Sequence, residues 1–126
     1  MAHGRIVTVN VTTIADGSAT AYSSGPIVGE IVNCIYNKTD FDNGVGFTIT
    51  AEDSGLTIWT EAAVNSSAVR ATRQATHLNT TGAAAAYAAG GSGVLGPVVL
   101  CYERIKIVIA AGGNIKTGQF KFVVVG

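Results

Sequence analysis

Residues 104–126 alternate apolar and polar side chains twice, once on each side of a glycine-rich turn, and this pattern limits the fold more than any other stretch. Ile105, Ile107 and Ile109 share one parity against Arg104, Lys106 and Val108. After Gly112-Gly113-Asn114, Phe120, Phe122 and Val124 alternate with Gln119, Lys121 and Val123. Successive side chains of an extended chain point to opposite faces. β-branched and aromatic residues repeating at a period of two therefore predict strands with one buried face. Two such runs around a turn predict a neighbouring antiparallel pair. The residues in them suit shape and contact rather than chemistry.

The same pattern recurs upstream. Val7, Val9 and Val11 alternate with Thr8, Asn10 and Thr12 until Asp16-Gly17. Ala19–Ser23 is a weaker strand. Ile27–Tyr36 is apolar on both parities, with Val28, Val32, Cys34 and Tyr36 on one and Ile27, Ile31 and Ile35 on the other, which predicts a central or partner-covered strand. Glu52-Asp53-Ser54-Gly55 between Gly46–Ala51 and Leu56–Thr60 predicts a hairpin closed by Gly55 in the left-handed conformation. Residues 61–79 read as irregular, with at most one short strand or helical turn. Residues 80–93, including Ala83–Ala86 and Gly90-Gly91-Ser92-Gly93, have too little side chain for a core of their own and read as a loop or docking arm. Pro97 near the start of a strand over 94–102 predicts an edge or a bulge. Seven or eight short strands without a long helix predict an all-β fold, a single-domain antiparallel β-sandwich or jelly roll over residues 1–126.

Composition bears on the surface. The chain of 126 residues is 48% hydrophobic and only 13% charged, with a formal net charge of zero. Soluble domains carry about 25% charged residues, so part of this exterior must be apolar or small and polar. Zero net charge also removes the repulsion that keeps copies apart. Both features predict a subunit of an assembly, against the alternative of a monomeric sandwich coated in Thr and Ser. Balanced charge, with Arg70 and Arg73 the only close arginine pair, argues against a nucleic-acid surface. No run is long enough to span a membrane, and Met1–Arg5 has no signal-peptide core, so a cytoplasmic origin is expected. In that compartment Cys34 and Cys101 are expected to be buried, unbridged thiols.

Candidate chemistry is sparse. His3 and His77 are isolated, and no Cys-x-x-Cys or His-Glu-x-x-His motif provides a metal site. Asp40-Phe41-Asp42-Asn43-Gly44 lacks the glycine and glutamate positions of a helix-loop-helix calcium site, so its polar residues are expected to form turns. Glu52 and Asp53 are adjacent at a hairpin tip rather than opposed across a cleft. The glycine run at 90–93 lacks the lysine and helix start that hold a phosphate. Trp59 is expected in or beside the core, with an interface anchor as the second choice. The chain is therefore expected to be no enzyme and to need no cofactor.

Three segments carry a resemblance: Ile27-Val28-Gly29-Glu30-Ile31-Val32, Thr48-Ile49-Thr50-Ala51-Glu52-Asp53-Ser54-Gly55-Leu56, and Ile107-Val108-Ile109-Ala110-Ala111-Gly112-Gly113-Asn114 leading through Lys116-Thr117-Gly118 into the closing strand. From Gly25 to Gly126 the chain resembles the decoration, or cement, proteins of tailed bacteriophages, small β-rich proteins on the capsid exterior. The Ala/Gly stretch at 80–93 departs from that pattern. The resemblance implies a virion protein, assembled in the bacterial cytoplasm, that stabilises the capsid. It implies as partners the major capsid protein and further copies of itself, as a homotrimer or homodimer, and neither nucleic acid nor membrane. Candidate interface residues are Ala2, His3, Gly4 and Arg5 as an amino-terminal arm, together with Trp59 and Tyr87. The rival readings are a carbohydrate- or receptor-binding module of a fibre or tail, which requires exposed aromatic residues, and a small jelly-roll enzyme, which requires converging His, Asp or Glu side chains.

Overall fold

The computed structural model describes residues 4–75 and 95–126, and within them every regular element is a strand. In chain order these are β1 (Gly4–Thr12), β2 (Ala19–Tyr22), β3 (Ile27–Lys38), β4 (Val45–Ala51), β5 (Thr57–Val64), β6 (Ala68–Arg70), β7 (Gln74–Ala75), β8 (Leu95–Gly96), β9 (Val98–Glu103), β10 (Ile105–Ala110) and β11 (Thr117–Val125). The number exceeds the seven or eight expected because residues 61–75 hold the end of β5 and two short strands instead of irregular chain, and Pro97 separates β8 from β9.

One sheet of five strands runs β1-β11-β3-β6, with β9 also beside β3. A second of four runs β2-β10-β4-β5, and β7 and β8 form a separate ribbon. All pairings are antiparallel. The inward faces of the two larger sheets make the core of a β-sandwich, the expected fold class.

The closing alternation buries the expected side chains: Ile105, Ile107, Ile109, Phe120, Phe122 and Val124 are each at most 1% exposed. The two strands are not neighbours, however, which corrects the expected pair. β10 lies between β2 and β4, whereas β11 lies between β1 and β3. Residues 111–116 cross from one sheet to the other, turned by left-handed backbone at Ala111, Gly113 and Ile115 (φ 57°, 96° and 51°). The segment after β1 makes the same crossing, and the two crossings stack. The Gly112 N–H donates to the Gly17 carbonyl (2.9 Å). The buried Thr13 hydroxyl donates to the Gly113 carbonyl (2.6 Å) and accepts from the Lys116 N–H (2.9 Å).

β3 is central, as its two apolar parities predict, but neither parity is buried throughout. Ile27 and Ile31 point inward at one end, Cys34 and Tyr36 at the other. The pairing with β11 shifts between Asn33 and Ile31, so Val32 is the extra residue of a bulge that inverts the faces. The β4–β5 hairpin is as expected, with Gly55 at φ 75°. At the centre of the core, the Phe47 ring lies 4.7 Å from Trp59, 5.0 Å from Phe120 and 5.3 Å from Tyr36.

The thiols also require a correction. Cys34 is buried and Cys101 is exposed, and both are unbridged. Cys101 stands opposite Val28 on the outward side of the five-stranded sheet.

Candidate interaction surface

The two outward faces of the sandwich differ in chemistry. On the four-stranded sheet, the register places Thr20, Val108, Thr48 and Thr60 side by side, with Tyr22, Lys106 and Thr50 in the next row. The Thr48 and Thr60 hydroxyls lie within hydrogen-bonding distance (3.3 Å). This is the Thr-coated exterior expected of a solvated strand face.

On the five-stranded sheet, the outward rows change character along the strands. At one end Asn10, Gln119 and Asn37 form an amide chain: Gln119 Nε2 donates to Asn10 Oδ1 (3.0 Å), and Asn37 Nδ2 donates to Gln119 Oε1 (3.1 Å). Beyond it come Thr8, Lys121, Ile35 and Val69, and then Ile6, Val123 and Asn33. Val125, Glu30 and Val99 follow, and Val28 lies beside Cys101. Ile6 is 63% exposed, Val69 60%, Val28 50% and Val99 43%. Only Lys121 and Glu30 carry charge in these rows. Isolated exposed apolar residues are ordinary, but a contiguous sheet face of them marks a contact surface.

At the β4–β5 end, a polar cluster fixes the hairpin. Glu103 is 5% exposed. Its Oε1 accepts from the Asp53 N–H (3.0 Å) and the Ser54 N–H (2.8 Å). Hydrogen bonds from the Ser54 backbone, then from the Ser54 side chain and the Asp53 and Cys101 backbones, outweigh the opposing desolvation and hold its carboxyl below the usual range. Glu52 pairs with Arg104, whose guanidinium lies 4.3 Å from the Tyr22 ring centre. Glu52 and Asp53 thus belong to a structural turn. Glu103 escaped the sequence reading because nothing in the local pattern shows a carboxylate pointing at a turn 50 residues away.

An open groove of about 410 Å³ is lined by Gly46, Phe47, Thr48, Thr60, Glu61, Ala62, Val108 and Ala110. Its one ionisable group, Glu61, accepts from Trp59 Nε1 (2.9 Å) and from Arg70 Nε (3.1 Å) and Nη2 (3.0 Å). Those bonds, Trp59's first, keep the carboxyl below its ordinary range. Asp40, expected to bond nearby backbone in a turn, instead accepts from the Thr117 N–H and hydroxyl, 77 residues along the chain. Among the described residues, no three His, Cys, Asp or Glu side chains converge as a metal site would require.

Of the candidate interface residues, Gly4 and Arg5 begin β1, and Arg5 Nη2 donates to the Val28 carbonyl (2.9 Å) at one end of the apolar rows. Trp59 is 4% exposed and lies in the core, its expected first place, so in this chain it is not a surface anchor. Ala2, His3 and Tyr87, like His77 and the stretch 80–93, lie outside the described residues. Among the described residues, the aromatic side chains required by the carbohydrate reading are not gathered: Tyr36 is buried in the core, while Tyr22 is 38% and Tyr102 71% exposed on strands of different sheets.

No protein-family profile and no curated protein matches the sequence. Among solved structures, the infectious bursal disease virus particle, Gt strain, aligns with 98% of this chain at 12% identity and a TM-score of 0.35. A mutant VP2 protein of infectious bursal disease virus, in derived particles, aligns with 95% at 16% identity and a TM-score of 0.26. The chain spans 32% of the length of each. Superpositions this loose establish no common fold.

Proposed function

We propose that this chain is a structural protein of a virus particle. In this reading it lies on the outside of a tailed-phage capsid, binds through the outward face of its five-stranded sheet, and stabilises the shell by bridging coat subunits. The single observation that carries the reading is the asymmetry between the two outward faces. One is mostly threonine, with Val108 and Tyr22 each 38% exposed, whereas the other exposes Ile6 (63%), Val69 (60%), Val28 (50%) and Val99 (43%) in successive rows. The resemblance of the three strand and turn segments to decoration proteins supports the same role.

The mechanism is contact. Covering apolar surface contributes about 25 cal/mol per Å², and association and ordering costs offset much of it at any single site. Repetition over a lattice raises the total by avidity, because each bound copy adds a second and third contact at high effective concentration. The charge deficit lowers the desolvation cost of such a face, since only Lys121 and Glu30 have to leave water with it.

The test is co-sedimentation and electron microscopy of the purified chain with shells of the virus that encodes it. Wild-type chain should pellet with the shells at regular lattice positions. The V28E/V99K variant should retain the circular dichroism of the wild type, because exposed substitutions cost within about 0.5 kcal/mol, but should lose shell binding at least tenfold. Undiminished binding of the folded variant would refute the use of this face.

A further inference from the structure

The free edges of the two large sheets are unequal. Natural proteins blunt an exposed strand edge by making it short, by bulging it, or by placing Pro or Lys on it, because unpaired N–H and C=O groups would otherwise recruit another strand. Most edges here follow that rule. β2 and β6 have four and three residues. β9 follows Pro97, and its register shifts at Tyr102, which has φ 56°. β5 carries two register shifts against β4 and left-handed backbone at Ala63 (φ 56°). β1 does not. It runs for nine residues without a shift, contains neither Pro nor Lys, and among the described residues pairs with β11 alone.

The peptide groups of β1 that face away from β11 can be identified. The Thr13 N–H donates to the Lys116 carbonyl (2.8 Å) in continuation of the β1–β11 register. Peptide groups alternate sides along an antiparallel strand, so those of Val11, Val9, Val7 and Arg5 face β11. Those of Thr12, Asn10, Thr8, Ile6 and Gly4 face the open edge.

We propose that β1 pairs antiparallel with β1 of a second copy of this chain, about a two-fold axis at Thr8. Thr8 then opposes Thr8 of the second copy, Ile6 opposes Asn10, and Val7 opposes Val9. The outward-facing peptide groups meet their symmetry mates in the alternation that an antiparallel ladder requires. The side chains suit the same register. Thr against Thr is a favourable cross-strand pair, and like charges directly opposite are not. Arg5, the only charge on β1, lies opposite Val11 and well away from the other Arg5.

The partner is a second copy because the strand is self-complementary in this register. A perpendicular two-fold also keeps both five-stranded sheets facing the same way, so the apolar rows of both copies turn to one side, the Ile6 row of each running on into the amide row of Asn10, Gln119 and Asn37 in the other. The pairing deepens the capsid reading by naming the self-association it needs, and it rests on that reading only for its purpose. The observation beneath it is the edge, not the face.

The experiment combines sedimentation equilibrium with amide hydrogen exchange on the full chain, comparing wild type, T8P and T8K. The Thr8 N–H is not part of the β1–β11 ladder, so proline there spares the fold, as it does on natural edge strands. T8K changes an exposed side chain and sets two lysines face to face across the axis, each also opposite Lys121 of its own copy, a like-charge contact that the Val7 and Val9 amides monitor within the chain. Wild type should sediment at twice the chain mass, with the amides of Ile6, Thr8 and Asn10 exchanging more than tenfold slower than in T8K. Both variants should sediment as single chains while keeping Val7 and Val9 amides protected by β11.

Wild-type chains that sediment singly, or dimers that persist in both variants, would overturn the pairing. Slow exchange at Ile6, Thr8 and Asn10 in a single chain would also overturn it, by showing the edge already covered. The V28E/V99K variant separates the two readings: it should still dimerise through β1 while losing shell binding. Shell binding by single wild-type chains would leave the capsid reading standing and remove this one.

Discussion

Removing the Glu103 carboxylate should loosen the β4–β5 turn by an amount the structure allows to be worked out. Two backbone N–H groups, of Asp53 and Ser54, donate to one oxygen of a side chain that is 5% exposed. Hydrogen bonds to a charged group contribute about 1.5–3 kcal/mol each, and less where water can replace the lost partner. Asp53 and Ser54 are exposed, so E103A should cost about 2–4 kcal/mol in total. For 126 residues the unfolding entropy is about 260 cal/mol/K, so each kcal/mol lowers Tm by about 4 °C and E103A lowers it by about 8–16 °C. E103Q should cost only about 1–2 kcal/mol, because both bonds reach the same oxygen, and an amide carbonyl can keep both while losing the charge.

The pH dependence separates the charge from the geometry. The folded pKa lies below the ordinary value of 4.5, so the folded chain binds fewer protons there than the unfolded one. The stabilisation is then complete above the unfolded pKa and disappears as pH falls through the folded one. Urea unfolding of wild type and E103Q from pH 7 to pH 2, at one fixed protein concentration, should converge at the acid end. The wild-type slope should be the steeper below pH 4.5, by at most about 1.4 kcal/mol per pH unit. Superimposable acid profiles, or an E103A variant within about 0.5 kcal/mol of wild type, would refute the assignment of this carboxylate to the turn.

Three further outcomes follow from particular side chains. G118A should cost about 1–3 kcal/mol or more by chemical denaturation, since a Cβ there would overlap the ring of the buried Phe41; F41L should recover part of that loss in the double variant. Y36F should be neutral or stabilising by up to about 1 kcal/mol, because the Tyr36 hydroxyl is buried with no hydrogen-bond partner among the described residues and its removal ends a desolvation cost. A thiol reagent followed by mass spectrometry should label Cys101 in the folded chain and Cys34 only on unfolding. Cys34 is shielded, and burial raises its pKa, whereas Cys101 is exposed.

Several features were legible in the sequence because they depend on near neighbours. A period of two needs no tertiary information, so the buried parity at 105–109 and 120–124 could be read from the chain, and so could the Gly55 turn. The shortage of charge also showed that part of the exterior would be apolar. The candidate surface was less accessible. Trp59 reads first as a core residue and second as a surface anchor, and the opposite sheet, packed over both Trp59 and Tyr36, decides for the core. Glu103 looks like any strand glutamate until the hairpin it holds comes within 3.0 Å.

The amino-acid order by itself determined that this would be an antiparallel β-sandwich, and which side chains its closing strands would bury, because alternation and turn chemistry act within a few residues. Only the tertiary structure decided which strands are neighbours. Two strands on either side of a turn can pair in one sheet or face each other across the core, with the same residues buried in both cases. Here the left-handed backbone at Ala111 and Ile115 and the stacking of two crossings select the second. The bulge at Val32 and the apolar outward rows follow from that choice, because a face exists only once separate strands have been laid in register.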